Sequence, residues 1–160
     1  MKTVLIALFA VVAFAGFANA QFQENDWTLT LSGGGSVDKD FNDGFVNATV
    51  TVSHFLTDGL ELGMVQSVSY NDNFNGLTGF FLNYNFDLED SNFVPFVGVN
   101  AGYSYGYSVS DAWRVGPQVG GKYFVNTTTY LYGQVGYEFD LNDGFDSGGF
   151  VYGMGIGFRF

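Results

Sequence analysis

From residue 27 to the last residue, bulky apolar side chains recur at every second position. Val46, Ala48, Val50 and Val52 alternate with Asn47, Thr49, Thr51 and Ser53, and Leu131, Val135, Tyr137 and Phe139 alternate with Tyr132, Gln134, Gly136 and Glu138. The closing stretch FVYGMGIGFRF, residues 150–160, keeps the same period with mostly glycine between its rings. A period of two marks strands with one apolar face and one polar or small face. Breakers rich in Asp, Asn and Gly divide the chain into eight predicted strands, at 27–37, 45–55, 60–70, 77–86, 94–105, 113–124, 129–139 and 150–160. Almost no helical periodicity is present after residue 26.

The connections alternate in kind. VDKDFNDG, YNDNFNG, GYSVSDA and DLNDGFDSGG are polar and longer, whereas LTDG, DLEDSN and VNTT are shorter. An antiparallel meander puts alternate connections at opposite ends, so one end carries four loops and the other three turns with both termini. The predicted fold class is all-β, an eight-stranded antiparallel up-and-down barrel. Periodicity alone does not say which face is outside, and a soluble lipocalin-like barrel would bury the apolar one. Volume decides: with about five bulky residues per strand, on the order of forty large side chains cannot enter a barrel whose interior is just filled by side chains. The face with Gly98, Gly102, Gly116, Gly120, Gly136, Gly153, Gly155 and Gly157 fits inside instead. Strands of about 9–11 residues also match the length of a tilted transmembrane strand.

Composition points the same way. Only 13% of residues are charged, 19% are aromatic and 23 are glycine, against about 25% charge in ordinary soluble domains. Something other than water is expected to face much of the surface. Lys2, the apolar run Val4 to Phe17 and Ala18-Asn19-Ala20 form a predicted signal peptide, residues 1–20, too short and wrongly flanked for a membrane helix. The remaining domain, 21–160, carries four Lys or Arg against sixteen Asp or Glu, which argues against nucleic acid as a partner. Cysteine is absent, which excludes disulfides, thiolate metal sites and thiol catalysis.

On the barrel parity Glu61, Arg114, Lys122, Glu138 and Arg159 all point inward. Facing lipid at mid-membrane, a Lys or Arg would cost about 2–4 kcal/mol. Pairing the sixth and seventh strands about Asn126 sets Arg114 opposite Glu138, Gln118 opposite Gln134 and Lys122 opposite Tyr130, with Glu61 expected near Lys122 and Arg159. Trp27, Phe86, Tyr123 and Phe160 fall near the turn end, and Tyr70, Tyr103, Trp113, Phe139 and Phe150 near the loop end, as two aromatic belts.

Catalytic and metal motifs are weak. Ser53 and His54 are adjacent in a strand, so their side chains diverge, and no catalytic residue is assigned. DKDFNDG, residues 38–44, opens like a calcium loop but has Thr49 where the closing glutamate belongs. Loose Mg²⁺ or Ca²⁺ binding among Asp140, Asp143 and Asp146 stays open, and no cofactor or structural metal is expected. The glycine runs are not phosphate cradles, because no helix follows them.

HFLTDGLELG, FVPFVGVNAGYSYG and GPQVGGKYFVNTTTYLYGQVGYEF, with the closing aromatic strand, resemble the small eight-stranded outer-membrane β-barrel family that includes the OmpA membrane domain and OmpX. The resemblance spans residues 26–160. It implies an outer-membrane location with loops extracellular and both mature termini periplasmic. It also implies that Ile156, Phe158 and Phe160 present an assembly signal to the barrel-assembly machinery. A wall-binding domain is not expected after the barrel, so the wall-anchoring role of full-length OmpA proteins is not implied. The expected function is non-enzymatic, structural or surface-interacting, in contact with outer-membrane lipid and lipopolysaccharide, as a monomer. A narrow passive pore and an adhesion or immune-evasion protein are the alternatives, the latter using Phe41, Phe74 and Phe145 as loop-tip contacts.

Overall fold

The computed structural model describes residues 22–37, 44–88, 90–107, 111–142 and 147–160. Eight strands follow one another: β1 (Trp27–Val37), β2 (Gly44–Phe55), β3 (Leu60–Asn71), β4 (Asn73–Asn85), β5 (Phe93–Gly106), β6 (Ala112–Phe124), β7 (Thr129–Asp140) and β8 (Gly148–Arg159). Each is antiparallel to the next, and β8 returns to β1 to close the barrel. Where β1 and β8 pair, from Thr28 with Arg159 to Ser32 with Gly155, closure removes the sheet edges that hydrocarbon could not hydrogen-bond.

The alternation read from the sequence becomes the two faces of the wall. Val50, Val52, Leu62, Met64, Leu82, Val97, Val99, Val119, Leu131 and Val135 are exposed on the outside. Thr28, Ser53, Glu61, Asn83, Asn85, Gln118 and Lys122 are buried inside. A surface this apolar is costly in water and matched to lipid. Tyr103 packs on Trp113 at 5.4 Å and Tyr137 on Phe150 at 5.1 Å toward the loop end. At the turn end Trp27 packs on His54 at 4.7 Å, and Tyr84 on Phe86 at 5.1 Å.

Strand ends shift by up to four residues, and one hairpin and one register differ from the sequence reading for local reasons. YNDNFNG, read as a loop, is a tight hairpin: β3 runs to Asn71, β4 starts at Asn73, and Asp72 turns between them at φ 58°. Asp is among the few residues that tolerate this left-handed conformation. The β6–β7 register is displaced by two, pairing Arg114 with Asp140, Gln118 with Gly136 and Lys122 with Tyr132. The cause is the turn, where Asn126 Oδ1 accepts from the N–H groups of Thr128 (2.9 Å) and Thr129 (2.8 Å), while Val125 N–H donates to the Thr129 carbonyl at 2.9 Å. This Asx-type cap moves the tip from Asn126 to Thr127. A shift of two keeps every side chain on its face, so the inward set survives.

Candidate functional site

The lumen divides into a packed floor at the turn end and a cavity above it. Five residues make the floor's apolar layer: Phe22, Phe55, Val94, Phe124 and Tyr130, all buried. Phe22 precedes the first strand and enters the barrel mouth, stacking on Phe55 at 4.2 Å and meeting Phe124 at 5.0 Å and Tyr130 at 5.6 Å. The segment behind it is anchored by Asn25 N–H to the Phe55 carbonyl (2.9 Å) and Glu24 N–H to Asp58 Oδ1 (2.9 Å). Glycine makes room for the ring of Tyr130: a methyl group at Gly157 on β8 would collide with it.

Above these rings lies the charged centre. Lys122 Nζ donates to Glu61 Oε2 at 2.7 Å, with both side chains almost wholly out of solvent. Glu61 also accepts from Ser53 Oγ (2.6 Å), Asn85 Nδ2 (3.2 Å) and Asn83 Nδ2 (3.3 Å). The ammonium is surrounded by the faces of Phe22, Phe55, Phe96 and Tyr130, at 4.6, 5.2, 5.4 and 5.7 Å. Burial of two charges costs several kcal/mol each unless their bonds are filled, and here both are well partnered. The network continues through Thr28 to Ser53 (2.6 Å), Gln118 Nε2 to Asn83 Oδ1 (2.7 Å) and Asn100 Nδ2 to Gln118 Oε1 (3.1 Å), while Thr30 meets the Tyr130 hydroxyl at 3.0 Å. Strands β1 to β7 thus each supply a side chain to one cross-lumen web.

Of the five charges expected inside, Glu61 and Lys122 come together as anticipated. Arg159 also points inward but does not reach Glu61. It lies 3.6 Å from Asp26 and 5.8 Å from the Phe124 ring, because the four donors on Glu61 already fill it and Asp26 waits at the mouth. Arg114 and Glu138 are not directly opposed in the shifted register; Glu138 lies at the level of Gly116, and both line the cavity higher up. That cavity has a volume of about 720 Å³ and is bounded below by Lys122, Glu61 and Gln118.

Ser53 and His54 face opposite sides of the wall, as expected for neighbours in a strand: Ser53 serves Glu61, and His54 lies against Trp27 outside. They do not form a nucleophile and base. Among the described residues no three His, Asp or Glu side chains converge as a metal site. Asp143, Asp146, Phe41 and Phe145 lie outside the described residues, as does most of 38–44 and the whole signal segment 1–20. Phe74 is not at a loop tip. It stands in β4 on the lipid-facing side of the wall, 72% exposed and 5.0 Å from Tyr70, with the aromatic residues at the loop end. Ile156, Phe158 and Phe160 project outward at the turn end of the last strand.

Sequence reasoning missed two features. Phe22 carries no periodic signal, although it is the one ring in the polar run QFQEND. Gln66 has the parity of its lipid-facing neighbours Met64 and Val68, yet is polar. Its amide accepts from Thr78 Oγ1 (2.7 Å) and donates to the Tyr105 hydroxyl (3.1 Å), so the trio satisfies itself on the outer wall. In hydrocarbon such internal pairing is the condition for keeping polar groups there.

Comparison with known proteins gives a consistent picture of architecture. No family model and no curated protein sequence matches the chain. Among solved structures it is similar to the N-terminal β-barrel domain of Pseudomonas aeruginosa OprF, with a TM-score of 0.66 and 16% identity over 88% of this chain and 100% of that one. OprG, an outer-membrane protein of the same organism, gives 0.61 and 13% over 88% and 98%. Neisserial surface protein A gives 0.55 and 14% over 84% and 94%. Its closed antiparallel meander, lipid-matched outer wall and polar side chains in the lumen give the chain the fold of the small eight-stranded outer-membrane β-barrels, the architecture of the OmpA membrane domain and OmpX.

Proposed function

We propose that the chain is a non-enzymatic integral barrel of the outer membrane, closed to axial flow, whose work is structural or is done at the surface through its loops. The observation that carries this reading is the floor: Phe22, Phe55, Phe124 and Tyr130, 0–4% exposed, lie beneath the Glu61–Lys122 pair and fill the turn end of the lumen. An ion crossing it would have to displace packed rings and a satisfied ion pair together. Phe22 adds a ring from outside the barrel wall, a placement with more bearing on closing the mouth than on building the sheet.

In this reading the loops face outward toward lipopolysaccharide, the termini lie in the periplasm, and the last strand is presented to the barrel-assembly machinery. Planar-bilayer recording of purified, refolded protein tests the closed state. The expected record is flat; stable single-channel steps would support the narrow-pore alternative instead.

A further inference from the structure

The seam between β1 and β8 is the shortest junction of the wall. At the turn end the junction is complete, since Trp27 N–H donates to the Phe160 carbonyl at 2.9 Å and Phe160 N–H donates to the Trp27 carbonyl at 3.0 Å. Pairing continues to Ser32 with Gly155 and stops there. Beyond that point, among the described residues, β1 runs on to Val37 beside β2 alone, and β8 runs back to Gly148 beside β7 alone.

Packing records the same divergence independently. A methyl group at Gly155 would strike the Leu31 carbonyl and Ser32 of β1, whereas one at Gly153 would approach only Tyr132 and Gln134 of β7. Exposure changes at the same level. Phe158 and Ile156 are 37% and 38% exposed, but Met154, Tyr152 and Phe150 are 72%, 85% and 78%. Glycines at 153, 155 and 157 supply no luminal side chain to stitch β8 into the web of the other strands.

The cavity reaches this gap. Ser32 and Gly33 line it from β1, and Val151 and Gly153 from β8. At about 720 Å³ it is in the range of pockets that hold one small molecule. Its lining is mixed, with Arg114, Gln118, Gln134 and Glu138 set among apolar residues such as Val65, Leu77 and Phe96, while the outer flank of the gap is apolar. Bare hydrocarbon would leave the open backbone edges without hydrogen-bond partners. A suitable occupant therefore brings polar atoms inward and a narrow apolar part outward.

We propose that the outer half of the β1–β8 seam is a lateral portal joining the outer leaflet to the lumen, and that it admits a single-chain amphiphile. The polar head lies among Arg114, Gln134 and Glu138, and the alkyl chain passes through the seam against Tyr152 and Met154. The floor below gives the molecule no way through to the periplasm, so the site holds or exchanges its ligand with the outer leaflet.

The chain has no cysteine, so the seam can be locked selectively. If the ladder closed in its existing register, Gly34 would face Gly153. The double variant Gly34→Cys/Gly153→Cys is reconstituted in phosphatidylcholine vesicles with hexadecanoate carrying a diazirine near its carboxylate, illuminated, and mapped by mass spectrometry. Reduced protein is expected to carry adducts on luminal residues such as Thr49 and Gln134, with at least a tenfold loss on oxidation and recovery on reduction. Gly153→Phe, which fills the gap without a crosslink, is expected to give the same loss. Heat-modifiable gel migration verifies that each form is folded. Equal luminal labelling in locked and unlocked protein would overturn the proposal, as would adducts confined to outward residues in every form. A dimer captured through the two cysteines would do so too, by giving the seam to a second copy.

Discussion

Removal of either member of the buried ion pair should have unequal consequences, because the two charges have different second partners. In Lys122→Met, Glu61 keeps only neutral donors, Ser53, Asn83 and Asn85, at 2.6–3.3 Å. An orphaned buried charge costs about 3–5 kcal/mol. In Glu61→Gln, the ammonium keeps the ring faces of Phe22, Phe55, Phe96 and Tyr130 at 4.6–5.7 Å. A desolvated cation–π contact contributes about 0.5–2 kcal/mol, so this variant is expected to lose roughly 1–2 kcal/mol less than Lys122→Met. The double variant removes both charges and should recover at least about 2 kcal/mol relative to the sum of the singles. Urea titration in detergent or thin bilayers, followed by the fluorescence of Trp27 and Trp113, measures all three. A double variant whose loss equals the sum of the singles would refute the coupling. A Glu61→Gln loss greater than that of Lys122→Met would refute the role given to the rings.

Three further outcomes follow from the same packing. Phe22→Ala is expected to destabilise the barrel by up to about 3–5 kcal/mol, the range for emptying a buried phenylalanine site, and to produce small conductance steps absent from the parent; urea titration and bilayer recording read the two effects. Gly157→Val should block folding by forcing a side chain into the Tyr130 ring, and Tyr130→Ala in the same chain should restore the folded band on an unboiled gel. Three polar residues appended after Phe160 should lower insertion into the outer membrane without lowering synthesis, as read by fractionation and total immunoblot.

The wall was legible because its period holds along the strands with few exceptions such as Gln66: strand bounds shift by only a few residues, and Glu61, Arg114, Lys122, Glu138 and Arg159, named from parity, lie on the inner face. Register was less accessible, since it depends on how Asn126 caps its turn, and a step of two changes no facing. The Asn and Asp content of YNDNFNG suggests a loop equally well as a one-residue tip, and only the φ of Asp72 separates them. The partner of Arg159 could not be read from pattern, because Asp26 belongs to a segment outside the sheet. Phe22 was hidden for the same reason. The open loop-end half of the seam was not legible either, because the end of pairing beyond Ser32 and Gly155 leaves no mark in the alternation of β1 or β8.

The central claim is a membrane barrel with its apolar face outward and a lumen packed at its floor. A cysteine scan along β7, with a nitroxide placed singly at residues 130–136 in bilayers, tests it most directly. Oxygen accessibility should rise at 131, 133 and 135 and fall at 130, 132, 134 and 136, a period of two in phase with the exposed Leu131 and Val135. A profile without that period, or with the phase reversed, would contradict the account.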